Sequence, residues 1–358
     1  MNYLRFFSSL KSQFPSLLIK KNFILAPLTT LKIGGPADIF IQTSTNQQLI
    51  KVLKYIFNCR SLKSPITILG NGSNVLISDS GIRGIVIKNT SSNIKILPNI
   101  STPLNTNTPT HHLSTRHAEY HPKQYLSLKN KDYDESGCPQ VLVQLDAGTP
   151  LPYAINHLIK KGITGLQWFA YIPGQIGGAI WYNIHGGNHH ISEYIHKITL
   201  YNQRTQKLET IPATNFKWNY DTSPFQKKPH LIILSITLKL YKGNTTKAKN
   251  IIKEWITQKS KIQPTNSAGS AFKNLPEKTT VPIWGQHKPT GWIIDQQLKL
   301  KGKQIGGAKI SEKHANFIVN TGNATAKDYL KLTKLIQQQF KKHWNINLPL
   351  EIKPLGQF

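Results

Sequence analysis

The sequence predicts a mixed α+β fold in two units, a larger one opening the chain and a smaller one ending it. Three observations carry that expectation. A strand–helix–strand pattern lies near the start, closely spaced apolar runs follow it, and the period changes to helical around Lys242–Thr245. At 358 residues the chain exceeds one typical domain, and 39% hydrophobic content suffices for real cores.

The opening stretch, MNYLRFFSSLKSQFPSLL, lacks a basic segment followed by a continuous apolar run, so residues 1–22 are expected to form a short amphipathic lead-in. Ser44-Thr45-Asn46-Gln47 has the spacing of a capping box. Behind it Leu49, Val52, Leu53, Ile56 and Phe57 share one face at helical period. Apolar runs at Ala37–Gln42, Ile66–Leu69, Val75–Ser78 and Ile85–Lys88 read as strands around that helix. Residues 90–140 are polar, rich in Ser, Thr, Asn, Pro and His, and are expected to form an exposed insertion. Order returns with a strand at Val141–Ala147, a helix near Tyr153–Lys161, and strands at Lys197–Asn202 and Leu231–Tyr241. A helix near Gly291–Leu298 ended by Gly302, a strand at Phe317–Asn320 and a longer helix through Tyr329, Leu332, Leu335, Ile336 and Phe340 complete the chain. No internal repeat is evident.

The net charge of +29 raises the question of nucleic acid. Only Arg5, Arg60, Arg83, Arg116 and Arg204 are arginines; the other basic residues are scattered lysines without aromatic interleaving. No nucleic-acid partner is expected, while a small polyanion remains compatible with the charge. No apolar run approaches the roughly 18–20 residues that span a bilayer, so neither is a membrane. Cys59 and Cys138 make no disulfide framework, and a reducing cytoplasmic setting follows. His111, His112, His117 and His121 lack an acidic or cysteine partner at ligand spacing, so no metal site is expected.

Four glycine-bearing segments and one carboxylate carry candidate chemistry. Gly70-Asn71-Gly72-Ser73-Asn74 lies between two strands, where consecutive N–H groups can form a nest for phosphate or a plain tight turn. It neither opens a helix as G-x-G-x-x-G nor matches a Walker loop. Ile172–Ala179, continuing through Trp181, Asn183, His185 and Gly187, can approach a flat ring or simply bend. His185, His189 and His190 are expected in the loop that follows. Ser267–Asn274 sets serines beside Lys273 and Asn274, without a G-x-S-x-G elbow. Ile305–Ala308 and Ser311–Asn320 place polar groups against a buried strand, and Glu351 stands between Leu350 and Ile352 in a chain with only 16 acids.

In this order the segments resemble the UDP-N-acetylenolpyruvoylglucosamine reductase (UDP-N-acetylmuramate dehydrogenase) family. The likeness begins at Thr29–Ala37, passes through Gly70–Asn74, Gly165–Gly187, Gly269–Asn274 and Ile305–Asn323, and ends at Glu351. It implies an FAD-binding domain of the PCMH/vanillyl-alcohol-oxidase type over 23–243 and a smaller α/β substrate-binding lobe over 244–358. It further implies bound FAD, NADPH as hydride donor, a small-molecule UDP-sugar substrate on the route to peptidoglycan, and a cytoplasmic monomer. The FAD-contacting positions are Ile33, Gly34, Gly70, Asn71, Gly72, Ser73, Asn74, Val75, Pro173, Gly174, Ile176, Gly177, Gly178, Ala179 and Asn183. Ser270 matches the proton donor, Glu351 the second catalytic position, and Tyr220, Lys273 and Asn274 the substrate side. The short spacing from Tyr220 to Ser270 resembles the branch without an extra substrate-covering loop.

Two positions depart from the family. Asp221 stands where the family's Tyr-Arg-x-Ser element has arginine, which reverses a charge expected to stabilise an enolate. Lys217, Lys227, Lys273 or His185 could replace that cation; otherwise the substrate of an FAD-linked oxidoreductase differs, or the scaffold is a decayed nucleotide-binding regulator. Gln167 stands where the family usually has glutamate.

Overall fold

A computed structural model describes residues 3–59, 64–98, 133–135 and 137–358. His111, His112, His117, His121 and most of the polar insertion lie outside these residues.

The first layer is built from α1 (Tyr3–Gln13), β1 (Leu18–Ile24), β2 (Pro36–Thr43), α2 (Asn46–Asn58), β3 (Ile66–Leu69), β4 (Val75–Ile77) and β5 (Ile82–Asn89). Its sheet runs β1-β2-β5-β3, antiparallel at the first pair and parallel thereafter. The lead-in is part of this layer: β1 is the sheet's edge, and Phe6 and Leu10 of α1 are fully buried against α2. The helix cap also falls one residue later than its spacing suggests. Thr45 accepts from Gln48 N at 3.1 Å, while the Gln48 side chain accepts from Ser44 N at 2.8 Å. Leu49, Val52, Leu53 and Ile56 then share the buried face, as an i, i+3, i+4 pattern requires.

The second layer comprises β6 (Ile94–Ile96), β7 (Gln140–Asp146), α3 (Leu151–Lys160), α4 (Ile176–Tyr182), β8 (His185–Gly186), β9 (His189–His190), β10 (Ile195–Asn202), β11 (Lys207–Pro212) and β12 (Leu231–Tyr241). Its sheet, β11-β10-β12-β7-β6, is antiparallel throughout. Residues 94–96, expected within the insertion, are instead its edge strand. A register shift between Thr199 and Leu200 changes which face β12 presents. Ile236, Leu238 and Leu240 consequently pack with α3 and α4, whereas Ile232 and Leu234 join α1 and α2. Both faces of β12 are covered, which explains an almost unbroken apolar run. The next helix, α5 (Thr245–Ile262), buries Ala248, Ile251 and Trp255 in that second-layer core, so the smaller unit's own core begins after it rather than at residue 244.

The smaller unit contains α6 (Glu277–Trp284), α7 (Thr290–Trp292, continued by a π turn over Ile293–Gln297), β13 (Gln304–Ile305), β14 (Ala308–Ile310), β15 (Ile318–Asn320), α8 (Ala326–Trp344) and β16 (Lys353–Leu355). Tyr329, Leu332, Ile336 and Phe340 of α8 fill its core together with Leu31, Ile33 and Leu76 of the first layer. The two units therefore share apolar packing. They also share a sheet, because β16 pairs in parallel with β4. Asp79, just beyond β4, accepts from Ala326 N at 2.7 Å and Lys327 N at 3.0 Å, capping α8 across the junction. Among the described residues no helix is long and apolar enough to cross a membrane. Asp79→Ala is expected to cost about 0.5–2 kcal/mol in urea unfolding, the usual range for a lost helix cap.

Candidate active site

The loop Gly70–Asn74 joins β3 to β4 at the junction of the units. Gly72 has φ +59°, and a Cβ there would stand 2.7 Å from Leu28 O, so glycine is required on both counts. Its carbonyl accepts from Thr30 N at 3.2 Å, which anchors the Thr29–Ala37 segment beneath the loop. Ile33 is buried with Leu31 and Leu76, and Gly34 passes close to Ile77; both support the loop from below. Behind it, Lys88 at the end of β5 lies beside Leu69 and donates to Gly70 O and, at 3.2 Å, to Asn71 Oδ1. Burial lowers the Lys88 ammonium to about 8.

The second glycine segment packs directly on the first. Ser73 Oγ donates to Pro173 O at 3.0 Å, and Gln175 Nε2 reaches Asn89 O at 3.0 Å and Gly148 O at 2.8 Å. Gly177 N donates to Ala147 O at 2.7 Å, and a Cβ at Gly177 would come within 2.9 Å of Ala147 Cβ. A Cβ on Gly178, by contrast, would meet nothing within 4 Å. That side of α4 leaves an open cradle at backbone level. At its end the buried Tyr182 hydroxyl lacks a hydrogen-bond partner of ordinary geometry among the described residues. Burial first, and then the negative charge of Glu351 and Asp221, raises this hydroxyl; the neighbouring Asn74 side chain opposes the shift. Asn183 caps α4 at φ +53°, and its amide is engaged with Asn219 O at 2.8 Å and Ser192 N at 3.2 Å.

From the smaller unit, the segment at Ser270 runs antiparallel to the one at Glu351. Phe272 bridges Leu350, Glu351 N donates to Ala271 O at 2.9 Å, and Lys273 N donates to Pro349 O at 3.0 Å. Asn316 clamps this crossing, accepting from Phe272 N at 3.1 Å and donating to Phe272 O at 2.8 Å. Asn274 Oδ1 accepts from Thr290 N at 3.1 Å. Two residues after Glu351, Lys353 N donates to Asn74 O at 3.1 Å as β16 joins β4. Ser270, Lys273, Glu351 and Asn74 are thus brought together by two short strand pairings. Glu351 is enclosed on most sides yet keeps part of its surface open. Burial above all, with the Asp221 carboxylate second, pushes its carboxyl well above the usual range, against the pull of Lys273 and Lys353.

The charge reversal at Asp221 does not leave a bare carboxylate. His185 Nδ1 lies 3.0 Å from Asp221 Oδ1, and His185 Nε2 lies 3.0 Å from Tyr220 Oη. Asp221 is 3% exposed and holds φ +48°, so its side chain faces inward at some backbone cost. Of the four cations considered for this position, His185 is the one hydrogen-bonded to it; Lys273 acts on Glu351. The histidines are not in a loop but in the β8–β9 hairpin, where His185 pairs with His190. Among the described residues no three His, Cys, Asp or Glu side chains gather as a metal site. Gln167 is fully buried, accepting from Gly165 N at 2.6 Å and donating to Glu135 Oε2 at 2.8 Å. A glutamate there would set a second acid against Glu135.

Lys88, Tyr182 and Lys353 were given no role from the sequence. Lys88 had a signal, a single charge ending the apolar run Ile85–Ile87. Tyr182 lies inside the second glycine segment, but nothing there sets it apart, and Lys353 had no signal because its neighbours come from distant segments.

Comparison with known proteins agrees with this arrangement. Residues 261–355 match the model of the UDP-N-acetylenolpyruvoylglucosamine reductase C-terminal domain. The chain is 30% identical over 334 residues to the UDP-N-acetylenolpyruvoylglucosamine reductase of Clostridium botulinum (strain 657 / Type Ba4), covering 92% of this chain and 90% of that protein. It is 30% identical over 343 residues to the enzyme of that name from Synechococcus sp. (strain JA-3-3Ab), covering 95% and 92%. The crystal structure of UDP-N-acetylenolpyruvylglucosamine reductase from Thermus caldophilus superposes with a TM-score of 0.67 at 25% identity, over 95% of this chain and 99% of that one. By these matches over nearly its whole length, the chain belongs to the UDP-N-acetylenolpyruvoylglucosamine reductase family.

Proposed function

We propose that this chain reduces UDP-N-acetylglucosamine enolpyruvate to UDP-N-acetylmuramate, a step toward peptidoglycan, with bound FAD and NADPH as hydride donor. The observation that carries this reading is the convergence of Gly70–Asn74, Ile176–Tyr182, Ser270 and Glu351 through the β16–β4 and Phe272–Leu350 pairings. The residues present fit a dinucleotide. The glycine loop with Lys88 behind it suits a diphosphate, the open side of Gly178 suits a flat ring, and the Tyr182 hydroxyl stands beside Asn74 of that loop.

Flavin, reduced by NADPH, would supply hydride from N5 to the enolpyruvyl C3. The protein's own residues then have three tasks. Lys273, held by its backbone to Pro349, offers positive charge to the substrate. Ser270 gives its hydroxyl proton to C2, which completes the saturated product. Glu351, kept protonated by burial and by Asp221, donates a hydrogen bond toward the charge that develops there instead of repelling it. His185 hydrogen-bonds Asp221 and Tyr220 at once, so the acid replacing the family's arginine is held against the protein's own side chains. An FAD-linked enzyme with a different acceptor is the reading that Asp221 itself favours. Reoxidation of the reduced protein by the enolpyruvyl UDP-sugar, followed in stopped flow, decides between them.

Three outcomes are expected. Ser270→Ala should retain the flavin spectrum and NADPH-driven bleaching while slowing reoxidation by substrate about 10²–10⁴-fold; unchanged reoxidation refutes the donor role. His185→Phe should slow turnover, and adding Asp221→Asn should restore part of it, with a coupling of about 0.5–3 kcal/mol in the double-mutant cycle. Glu351→Gln should lose turnover yet gain stability. In wild type the unfolded carboxyl ionises near 4.5 while the folded one stays protonated to much higher pH. Stability is therefore full below 4.5 and falls as pH rises toward the folded value. The melting-temperature advantage of the glutamine variant should widen from pH 4 to pH 8; a constant difference would refute a protonated Glu351.

A further inference from the structure

Lys88 is an ionisable side chain that takes no part in the proposed hydride and proton transfers. It is 8% exposed, stands on the face of β5 that also carries Val86, and is paired across the sheet with Gln42 and Leu69. A buried ammonium ordinarily has a carboxylate partner, because desolvation of an unpaired charge costs several kcal/mol. Among the described residues no acid forms an ion pair with Lys88, and no charged neighbour contributes to its lowered affinity for the proton. Its two partners are the Gly70 carbonyl and the Asn71 side-chain oxygen, both in the glycine loop. An expensive cation is thus fixed behind the glycine loop with no acidic counter-charge among the described residues. An anion on the far side of the loop would supply that counter-charge.

The geometry also has a direction. In a planar trans peptide the C=O and N–H point to opposite sides. When the Lys88 ammonium holds the Gly70 carbonyl, it turns the Asn71 N–H of the same peptide away from itself, toward the other side of the loop. The charge also polarises that peptide and makes its N–H a stronger donor.

We propose that Lys88 is the positioning residue of the diphosphate site: it locks the Gly70–Asn71 peptide with its N–H toward the dinucleotide and supplies the site's buried positive charge. This inference rests on the flavin reading given above. It separates from an ordinary structural role by the sign of two effects. A lysine that merely supports the loop would, when replaced, weaken both the fold and the site. A lysine kept for an anion should behave oppositely in the two states, because without the anion its burial only costs energy.

The test uses the full chain, stripped of flavin and titrated with FAD. Lys88→Met keeps the apolar stem and removes the charge. It should raise the Kd for FAD at least tenfold, about 1.4 kcal/mol, while the flavin-free protein melts at a temperature equal to or above wild type. Lys88→Gln retains a donor for Gly70 O without charge and should fall between wild type and Lys88→Met; Lys88→Arg retains charge and should recover most of the affinity. The ³¹P resonances of bound FAD should shift between wild type and Lys88→Gln. Unchanged FAD affinity and ³¹P shifts in Lys88→Met and Lys88→Gln overturn the inference, as does a flavin-free Lys88→Met protein less stable than wild type. A wild-type chain that takes up no FAD overturns the flavin reading itself.

Discussion

Parallel pairing of Lys353–Leu355 with Val75–Ile77 is the contact on which the rest of the site depends. Glu351 lies near the end of the chain, where a carboxylate would ordinarily swing freely in water. Here the strand that follows it is hydrogen-bonded to the strand that follows the glycine loop. Ser78 N also accepts the chain's return by donating to Leu355 O at 2.9 Å, and Ser80 Oγ donates to Gln357 O at 2.8 Å. Upstream, the Phe272–Leu350 bridge holds Glu351 against the Ser270 segment. Backbone bonds on both sides leave the carboxylate little freedom, and a group placed by secondary structure is placed more tightly than one on a loop. The shared core of Leu31, Ile33 and Leu76 with α8 keeps the two units from sliding across that seam.

Within that frame, charge is managed against the character of the whole chain. A net charge of +29 creates a field that favours ionised carboxylates. Glu351 is pushed the other way because short-range effects outweigh the distant lysines: desolvation acts at the group itself, and Asp221 lies close by. The site contains two acids, and they are handled differently. Asp221 meets a histidine at 3.0 Å, whereas burial and the Asp221 charge raise the Glu351 carboxyl above its ordinary range. Lys273 and Lys353, both near Glu351, pull the other way without reversing that shift.

Much of the fold was legible because period and burial coincide. The α2 face, the strands at Ile66–Leu69 and Leu231–Tyr241, and α8 all announce themselves through spacing that depends on local geometry alone. The edges were less legible. The β6 edge strand is only three residues long, so its alternation of Ile94 and Ile96 is too brief a signal and sank into the polar stretch around it. α5 looked like the start of a new unit because its period changes there, yet its buried face of Ala248, Ile251 and Trp255 belongs to the older core. The site was legible as segments, since glycines and an isolated acid mark themselves, but not as contacts. Tyr182 meets Asn74 and Glu351 across about a hundred or more positions of chain, and only folding makes them neighbours.

The departures from the family pattern point the same way. A decayed site would be expected to lose charges singly, leaving buried groups unmatched. In this chain each departure has a partner from another segment. Gln167 replaces an acid where Glu135 already stands, and its amide donates to Glu135 Oε2 at 2.8 Å, a bond that an ionised glutamate could not make. Asp221 replaces a cation, and His185 answers it from the β8–β9 hairpin while its second nitrogen engages Tyr220. Burying an unpaired charge costs several kcal/mol, a large part of a typical fold's net stability, so neither change is readily tolerated alone. Each such pairing keeps its pocket electrostatically consistent. That is the behaviour of a site held to a chemical requirement, and it argues against a scaffold released from one.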